Sequence, residues 1–241
     1  MKRLAALALL TLALGVTARA DNYDFGDRRL APLEDPVRVE FPAGAAPSVE
    51  KLREVVAAVA PSREWRVASQ SDGRIELERS VRNKHMLRVE LRHDARGFGL
   101  RYLESVNLMY RDFERQGDKL RLIHHNYNVW VRELAAAIAG GLGISAAPIA
   151  GFAPLQRVEA VPYLRSGGRE AYAKFLKSET PRAFAIAPNG AFGWATPRAG
   201  MSYKARQDFD PIERALARCN QRADGQCHLY ALDERVVWRT Q

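Results

Sequence analysis

The spacing of apolar residues along this chain changes repeatedly, and each change predicts a new element. Leu4 to Val16 form an apolar run behind Lys2 and Arg3, and Ala18-Arg19-Ala20 follow. A charged start, an apolar middle and small residues around a cut site predict an export leader removed after Ala20. Residues 21–36 are acidic, hold two prolines and show no period, so they read as a mobile lead-in. Val49, Leu52, Val55, Val56 and Val59 then recur at helical spacing, with Ser48 placed to cap the first turn and Pro61 to close the helix. At Trp65 the period falls to two. Trp65 and Val67, then Ile75 and Leu77 beyond the Asp72-Gly73 turn, then Leu87, Val89 and Leu91, then Phe98, Leu100 and Tyr102 predict four short antiparallel strands. The alternate positions Glu76, Glu78, Arg88, Glu90, Arg92 and Arg101 are expected to form a solvent-exposed ladder of mixed charge.

A further strand, Leu120 to Ile123, leads into IHHNYNVWVREL. Here Asn126 is expected to act as helix N-cap, and Tyr127, Val131, Leu134 and Ile138 step along one face until Gly140-Gly141 stops the helix. His124 and His125 precede the cap; on a strand they point to opposite faces. Residues 134–156 carry no charge and are long enough to span a bilayer, with Arg157, Arg165 and Arg169 beyond them. The glycines, the weakly apolar alanines and Pro148 and Pro154 favour an apolar packed linker over residues 141–156 instead.

The remainder forms a second pattern. Gly168 to Lys177 predicts a helix with Tyr172, Phe175 and Leu176 inward. FAIAPNGAFGWA centres on Asn189-Gly190, a hairpin signal that as a two-residue turn sets Ala187 opposite Phe192, Ile186 opposite Gly193, Ala185 opposite Trp194 and Phe184 opposite Ala195. Asp210-Pro211-Ile212-Glu213 opens a helix with a capping acid, a proline at the first helical position and a glutamate three residues after the cap. Ile212, Ala215, Leu216 and Cys219 share its inner face, and CHLYALDERVVW supplies a closing hairpin turned near Asp233-Glu234. The fold class is therefore α+β: two small domains, each an antiparallel sheet packed by one or two helices, over residues 37–140 and 157–241.

Charge and composition narrow the function. The formal charge is +9, or +6 once Lys2, Arg3 and Arg19 leave with the leader. That mild excess suits an anionic partner, though bases and acids are interspersed nearly everywhere. An exported chain with two cysteines predicts one intramolecular disulfide, Cys219 to Cys227, in the periplasm. No Cys-x-x-Cys, Gly-x-Ser-x-Gly, Ser-x-x-Lys or phosphate-binding glycine pattern occurs. The histidines lack the spacing of a zinc site. No catalytic residue, metal site or cofactor is assigned. The sequence neighbours Tyr102, Asn107, Tyr110, His125, Asn126, Tyr127 and Trp130 make the one candidate ligand pocket.

RYLESVNLMY and KLRLIHHNYNVWVREL resemble a family of exported proteobacterial proteins of uncharacterised activity. Its small α+β domain ends in a Ser-x-Asn-Leu-x-Tyr and His-x-Asn-Tyr-Asn-x-Trp pattern, matched here by Ser105, Asn107, Leu108, Tyr110, His125, Asn126, Tyr127, Asn128 and Trp130. The C-terminal RAFAIAPNGAFGWA, ALARC, CHLYALD and VVW are similar to a small disulfide-bearing module of exported bacterial proteins. Neither resemblance implies an activity. The expectation is a periplasmic binding or interaction module of the cell envelope, not an enzyme. Its partner would be an envelope protein or an anionic envelope component, with no nucleic acid and no stable membrane span. The rival is an envelope-directed hydrolase with its site near His125, Asn126 and Tyr127.

Overall fold

The computed structural model describes Phe25, Asp27 and residues 29–239, apart from the side chains of Tyr203 and Gln207. The export leader read in residues 1–20 lies outside the described residues. In chain order the elements are β1 (Leu30–Pro32), β2 (Val37–Glu40), α1 (Val49–Val59), β3 (Trp65–Ser71), β4 (Arg74–Val81), β5 (His85–Asp94), β6 (Gly97–Val106), β7 (Arg111–Arg115), β8 (Asp118–His124), α2 (Asn126–Gly141), β9 (Ile149–Ala150), α3 (Ser166–Leu176), β10 (Ala183–Ile186), β11 (Phe192–Ala195), α4 (Tyr203–Gln207), α5 (Pro211–Asn220), β12 (His228–Leu232) and β13 (Arg235–Val236). They form three antiparallel sheets, ordered β3-β4-β5-β6-β2-β9, β1-β8-β7 and β11-β10-β12-β13. The α+β expectation of small sheets packed by helices holds. Among the described residues no helix is long and apolar enough to cross a membrane.

Alternation builds the six-stranded sheet. Its inner face, with Val37, Ile75, Leu77, Leu87, Val89, Leu91 and Leu100, meets Leu52 and Val56 of α1 and Tyr127, Val131, Leu134 and Ile138 of α2. Ser48 caps α1 by accepting from the Lys51 N–H. Gly141 ends α2 where a Cβ would run into Val55, so it also sets how closely the two helices approach. On the outer face the expected exposed ladder differs in one respect: Glu78 and Glu90 are buried. Each lies between two partly exposed arginines whose guanidinium groups pair with its carboxylate.

Three segments depart from the sequence expectations. Leu30–Pro32, placed in the mobile lead-in, is strand β1, which pairs with β8 and is buried throughout. In the apolar linker, Ile149–Ala150 adds to β2 as an edge strand, and Ala153 and Leu155 are buried. Asn126 is the first helical residue, not the N-cap: His125 holds the cap position without a side-chain bond. Asn128 is the fastening amide. Buried, it accepts from the Glu34 N–H at 3.0 Å and donates to the Pro32 carbonyl at 2.8 Å, tying the chain after β1 to α2.

The hairpin also differs, by one residue of register. Ala183 faces Ala195, Phe184 faces Trp194, Ala185 faces Gly193 and Ile186 faces Phe192. Pro188 has no N–H to give to a two-residue turn, so the Ala187 N–H closes the loop on the Ala191 carbonyl and only Gly190 takes positive φ. A one-residue slip re-sorts the faces. All the large side chains now lie on one face, toward α3, with Phe184 and Ile186 packed among Tyr172, Phe175 and Tyr230. The small ones, Ala183, Ala185, Gly193 and Ala195, make a flat seat for α5. A Cβ on Gly193 would collide with the Ala215 carbonyl, so that helix lies directly on the strand. As expected, Asp210 caps α5 by accepting from the Ile212 and Glu213 N–H groups, and Cys219 and Cys227 are joined by a disulfide.

The halves share a core. Phe25, Leu30, Leu120 and Leu122 join the cluster of α5 and the four-stranded sheet. Asp118 accepts from the Leu229 N–H at 2.8 Å and pairs with His228 at 3.1 Å. Buried Glu34 meets Arg235 at 3.1 Å and Arg132 at 3.5 Å.

Candidate functional site

The seven residues of the sequence-derived pocket occupy four settings. Tyr102 stacks on Tyr110 with ring centroids 4.8 Å apart and meets Tyr127 edge-on at 5.6 Å. Asn107 donates to the Lys84 carbonyl at 2.6 Å and its own carbonyl accepts from His85, which pins the β4–β5 connection to the end of β6. The Arg79 guanidinium lies 4.7 Å over the Trp130 ring. The rings of His124 and His125 stack at 4.8 Å instead of facing apart, because His125 already has helical backbone angles and strand alternation ends one residue earlier.

Asn107, Tyr110 and His125 are exposed, Tyr102, Asn126 and Trp130 half-buried, and Tyr127 fully buried. Burial pushes the Tyr102 hydroxyl pKa up and the Tyr127 hydroxyl far above its ordinary range. The Tyr127 oxygen is buried with no hydrogen-bond partner among the described residues. Burial, then His125 and Arg29, lower the His124 pKa, which suits a neutral ring whose Nδ1 accepts from the Asn126 N–H at 3.2 Å. His124, not Asn126, thereby serves the first turn of α2. No group of three or more His, Cys, Asp or Glu residues placed to hold a metal ion occurs among the described residues.

A second site lies where the sequence singled out nothing. Two adjoining hollows, of about 500 and 310 Å3, follow the free edge of β11 and share Trp194 and Arg218. Strand pairs in an antiparallel ladder alternate between bonded and unbonded positions. With Ala187 bonded to Ala191, the next bonded pairs are Ala185 with Gly193 and Ala183 with Ala195. The N–H and C=O groups of Phe192 and Trp194 therefore point out of the sheet into the hollows. One of them is occupied: Arg218 donates to the Trp194 carbonyl at 2.6 Å.

The opposite wall is cationic. Arg214 and Arg218 stand one turn apart on α5, Arg222 follows in the turn beyond, and Arg198 comes from the loop after β11. Arg214 also covers the Phe209 ring at 5.0 Å. Among the described residues none of these four arginines has a carboxylate within ion-pair distance, and no acidic side chain lines either hollow. Like charges four residues apart oppose a helix by a few tenths of a kcal/mol. The one sequence sign of this wall is therefore the spacing Arg214, Arg218, Arg222 opposite the apolar stripe of α5. The groove sets exposed arginines beside open backbone groups, and guanidinium groups complement carboxylate and phosphate in charge and shape.

Comparison with known proteins finds no matching family model, no curated relative and no solved structure.

Proposed function

We propose that this chain is a binding module of the cell envelope, exported to the periplasm, and that it holds an anionic partner in the groove between β11 and α5. The observation that carries this is the set of four arginines without carboxylate partners among the described residues around a concave strand edge. Arginine fits carboxylate and phosphate in two-point contacts, and a concave wall of one sign concentrates oppositely charged groups. The leader-like residues 1–20 and the disulfide support export, since such bonds persist in oxidising compartments. The hydrolase alternative has no comparable support: Tyr127 is fully buried and the exposed His125 ring stacks on His124.

The test is retention of the purified protein on beads carrying polyglutamate, polygalacturonate or phosphatidylglycerol vesicles, against uncharged dextran and phosphatidylcholine. Retention on at least one anionic matrix, lost with salt and in the double variant Arg214→Gln/Arg222→Gln, supports the proposal. Equal retention on charged and uncharged matrices overturns it. Release of the protein by osmotic shock checks the compartment.

A further inference from the structure

We infer that the occupant of the groove is an extended acidic polypeptide, added as a fifth strand along β11 with carboxylates at alternate positions. This deepens the anionic-partner proposal and rests on it. Two independent features of the groove meet in this ligand.

The first is the strand edge. β11 pairs only with β10, and the outward N–H of Phe192, the outward C=O of Phe192 and the outward N–H of Trp194 carry no bond among the described residues. An open edge is a template for another strand, and proteins either blunt such edges or use them to bind extended peptides. Here the blunting is a single side chain, Arg218 on the Trp194 carbonyl. A guanidinium can turn from that carbonyl to an incoming carboxylate, so the edge is covered but not closed. A lipid headgroup or a glycan has no backbone of N–H and C=O groups at strand spacing to match these groups; a polypeptide does.

The second is spacing. The hollow that Phe192 and Trp194 line takes in Arg218 and Arg222, and the one that Trp194 and Thr196 line takes in Arg214 and Arg218, so α5 runs alongside β11 in the opposite direction. Four residues of helix advance about 6 Å. Two residues of strand advance about 6.6 Å, and alternate side chains share a face. Carboxylates on every second residue of an added strand therefore fall in step with successive arginines of α5. The shape also fits, because the two hollows join end to end instead of forming one enclosed pocket.

The experiment titrates the intact, disulfide-bonded protein with a short peptide of alternating Thr and Glu. The comparisons are the same peptide N-methylated at alternate amides, an isomer with its glutamates in one block, and an oligogalacturonate of equal charge. Amide hydrogen exchange at Phe192 and Trp194 is followed throughout. The alternating peptide should bind at least about tenfold more tightly than each comparison, slow exchange at the free Trp194 amide, and lose about tenfold in Arg214→Gln. Overturning results are equal affinity for the N-methylated peptide, unchanged exchange at both amides on binding, or tighter binding of the oligogalacturonate. In those cases the anionic-partner proposal stands and only the strand addition fails. Absence of binding by every anion removes both.

Discussion

Arginines crowd two surfaces of this protein, and the two treat the same side chain in opposite ways. On the outer face of the six-stranded sheet, Glu78 lies between Arg66 at 2.5 Å and Arg88 at 2.9 Å, Arg88 reaches on to Glu104 at 3.1 Å, and Glu90 lies between Arg74 at 2.7 Å and Arg92. Along β11, Arg198, Arg214, Arg218 and Arg222 line the two hollows with no acid among the described lining residues. A cation that is neutralised inside the chain holds the chain together. A row left unneutralised in a hollow costs some stability and leaves its electrostatic attraction for another molecule. Net charge does not separate these cases; pairing and shape do.

The sharpest way to break this contrast is to lift α5 off its seat. In Gly193→Ala the new methyl meets the Ala215 carbonyl, which belongs to a helix backbone that cannot step aside alone. Overpacking against backbone costs about 3 kcal/mol, and urea unfolding should show a loss of that order together with loss of anion retention. A loss under about 1 kcal/mol would mean that α5 is not seated as tightly as described. Next in size is the disulfide. Cys219 ends the helix that carries the arginines and Cys227 opens the segment leading into β12, so the bond fixes the cationic wall against the sheet. Reduction, or the double variant Cys219→Ser/Cys227→Ser, should cost about 2 to 3 kcal/mol for a ring this short. Because Leu30, Leu120 and Leu122 share a cluster with α5, calorimetry should show one transition moving as a whole. Two separate transitions, only one of them shifted, would show that the sheets unfold independently.

What the sequence disclosed follows from what each element needs. α1 and α5 carry their instructions locally, in a period of 3.6 and in caps at Ser48 and Asp210, and both were legible. The strands β3 to β6 were legible from alternation, and the Cys219–Cys227 bond from a count of two cysteines behind a leader-like start. β1 and β9 are three and two residues long, too short to show a period, and their partners are distant in the chain. The hairpin was located correctly at Asn189-Gly190, but its register turned on the missing N–H of Pro188, so which face was large and which small came out reversed in part. The sequence cluster Tyr102, Asn107, Tyr110, His125, Asn126, Tyr127 and Trp130 was visible because its members are near in sequence. The groove was not, because Trp194 and Arg218 meet only after β11 and α5 have packed.

The contrast itself is sharpened by making one substitution twice. Arg214→Gln should leave stability within about 0.5 kcal/mol, the scale of a surface change, and weaken anion binding about tenfold, which corresponds to about 1.4 kcal/mol. Arg88→Gln should do the reverse, leaving binding unchanged and costing up to about 1 kcal/mol of stability as Glu78 and Glu104 each lose a partner. Titration calorimetry and urea unfolding on both variants read the two quantities. If Arg88→Gln weakens binding as much as Arg214→Gln does, the ligand answers to overall charge and the groove has no special standing.

The smallest effect concerns pH. The hydrogen bond from Arg88 holds the Glu78 carboxyl below its ordinary value of 4.5; burial opposes this, and Arg66 adds to it. A carboxyl whose folded pKa is depressed contributes stability that is fully present above the unfolded value and is lost as pH falls through the lower folded value. The window therefore opens near pH 4.5 and extends downward. Arg66 and Arg88 are substantially exposed, with 65% and 38% of their side-chain surface accessible, so solvent screening keeps the contribution to about 1 kcal/mol or less. Glu78→Gln should cost that amount at pH 7, and its unfolding curve should converge on that of the parent as pH falls below the window. Added salt should narrow the gap at neutral pH. Among the described residues the groove arginines have no carboxylate partner to protonate, so Arg214→Gln should run parallel to the parent across the same range. A parallel course for Glu78→Gln as well would show that the sheet-face pairs contribute no more than the unpaired row, and the division between the two surfaces would then rest on binding alone.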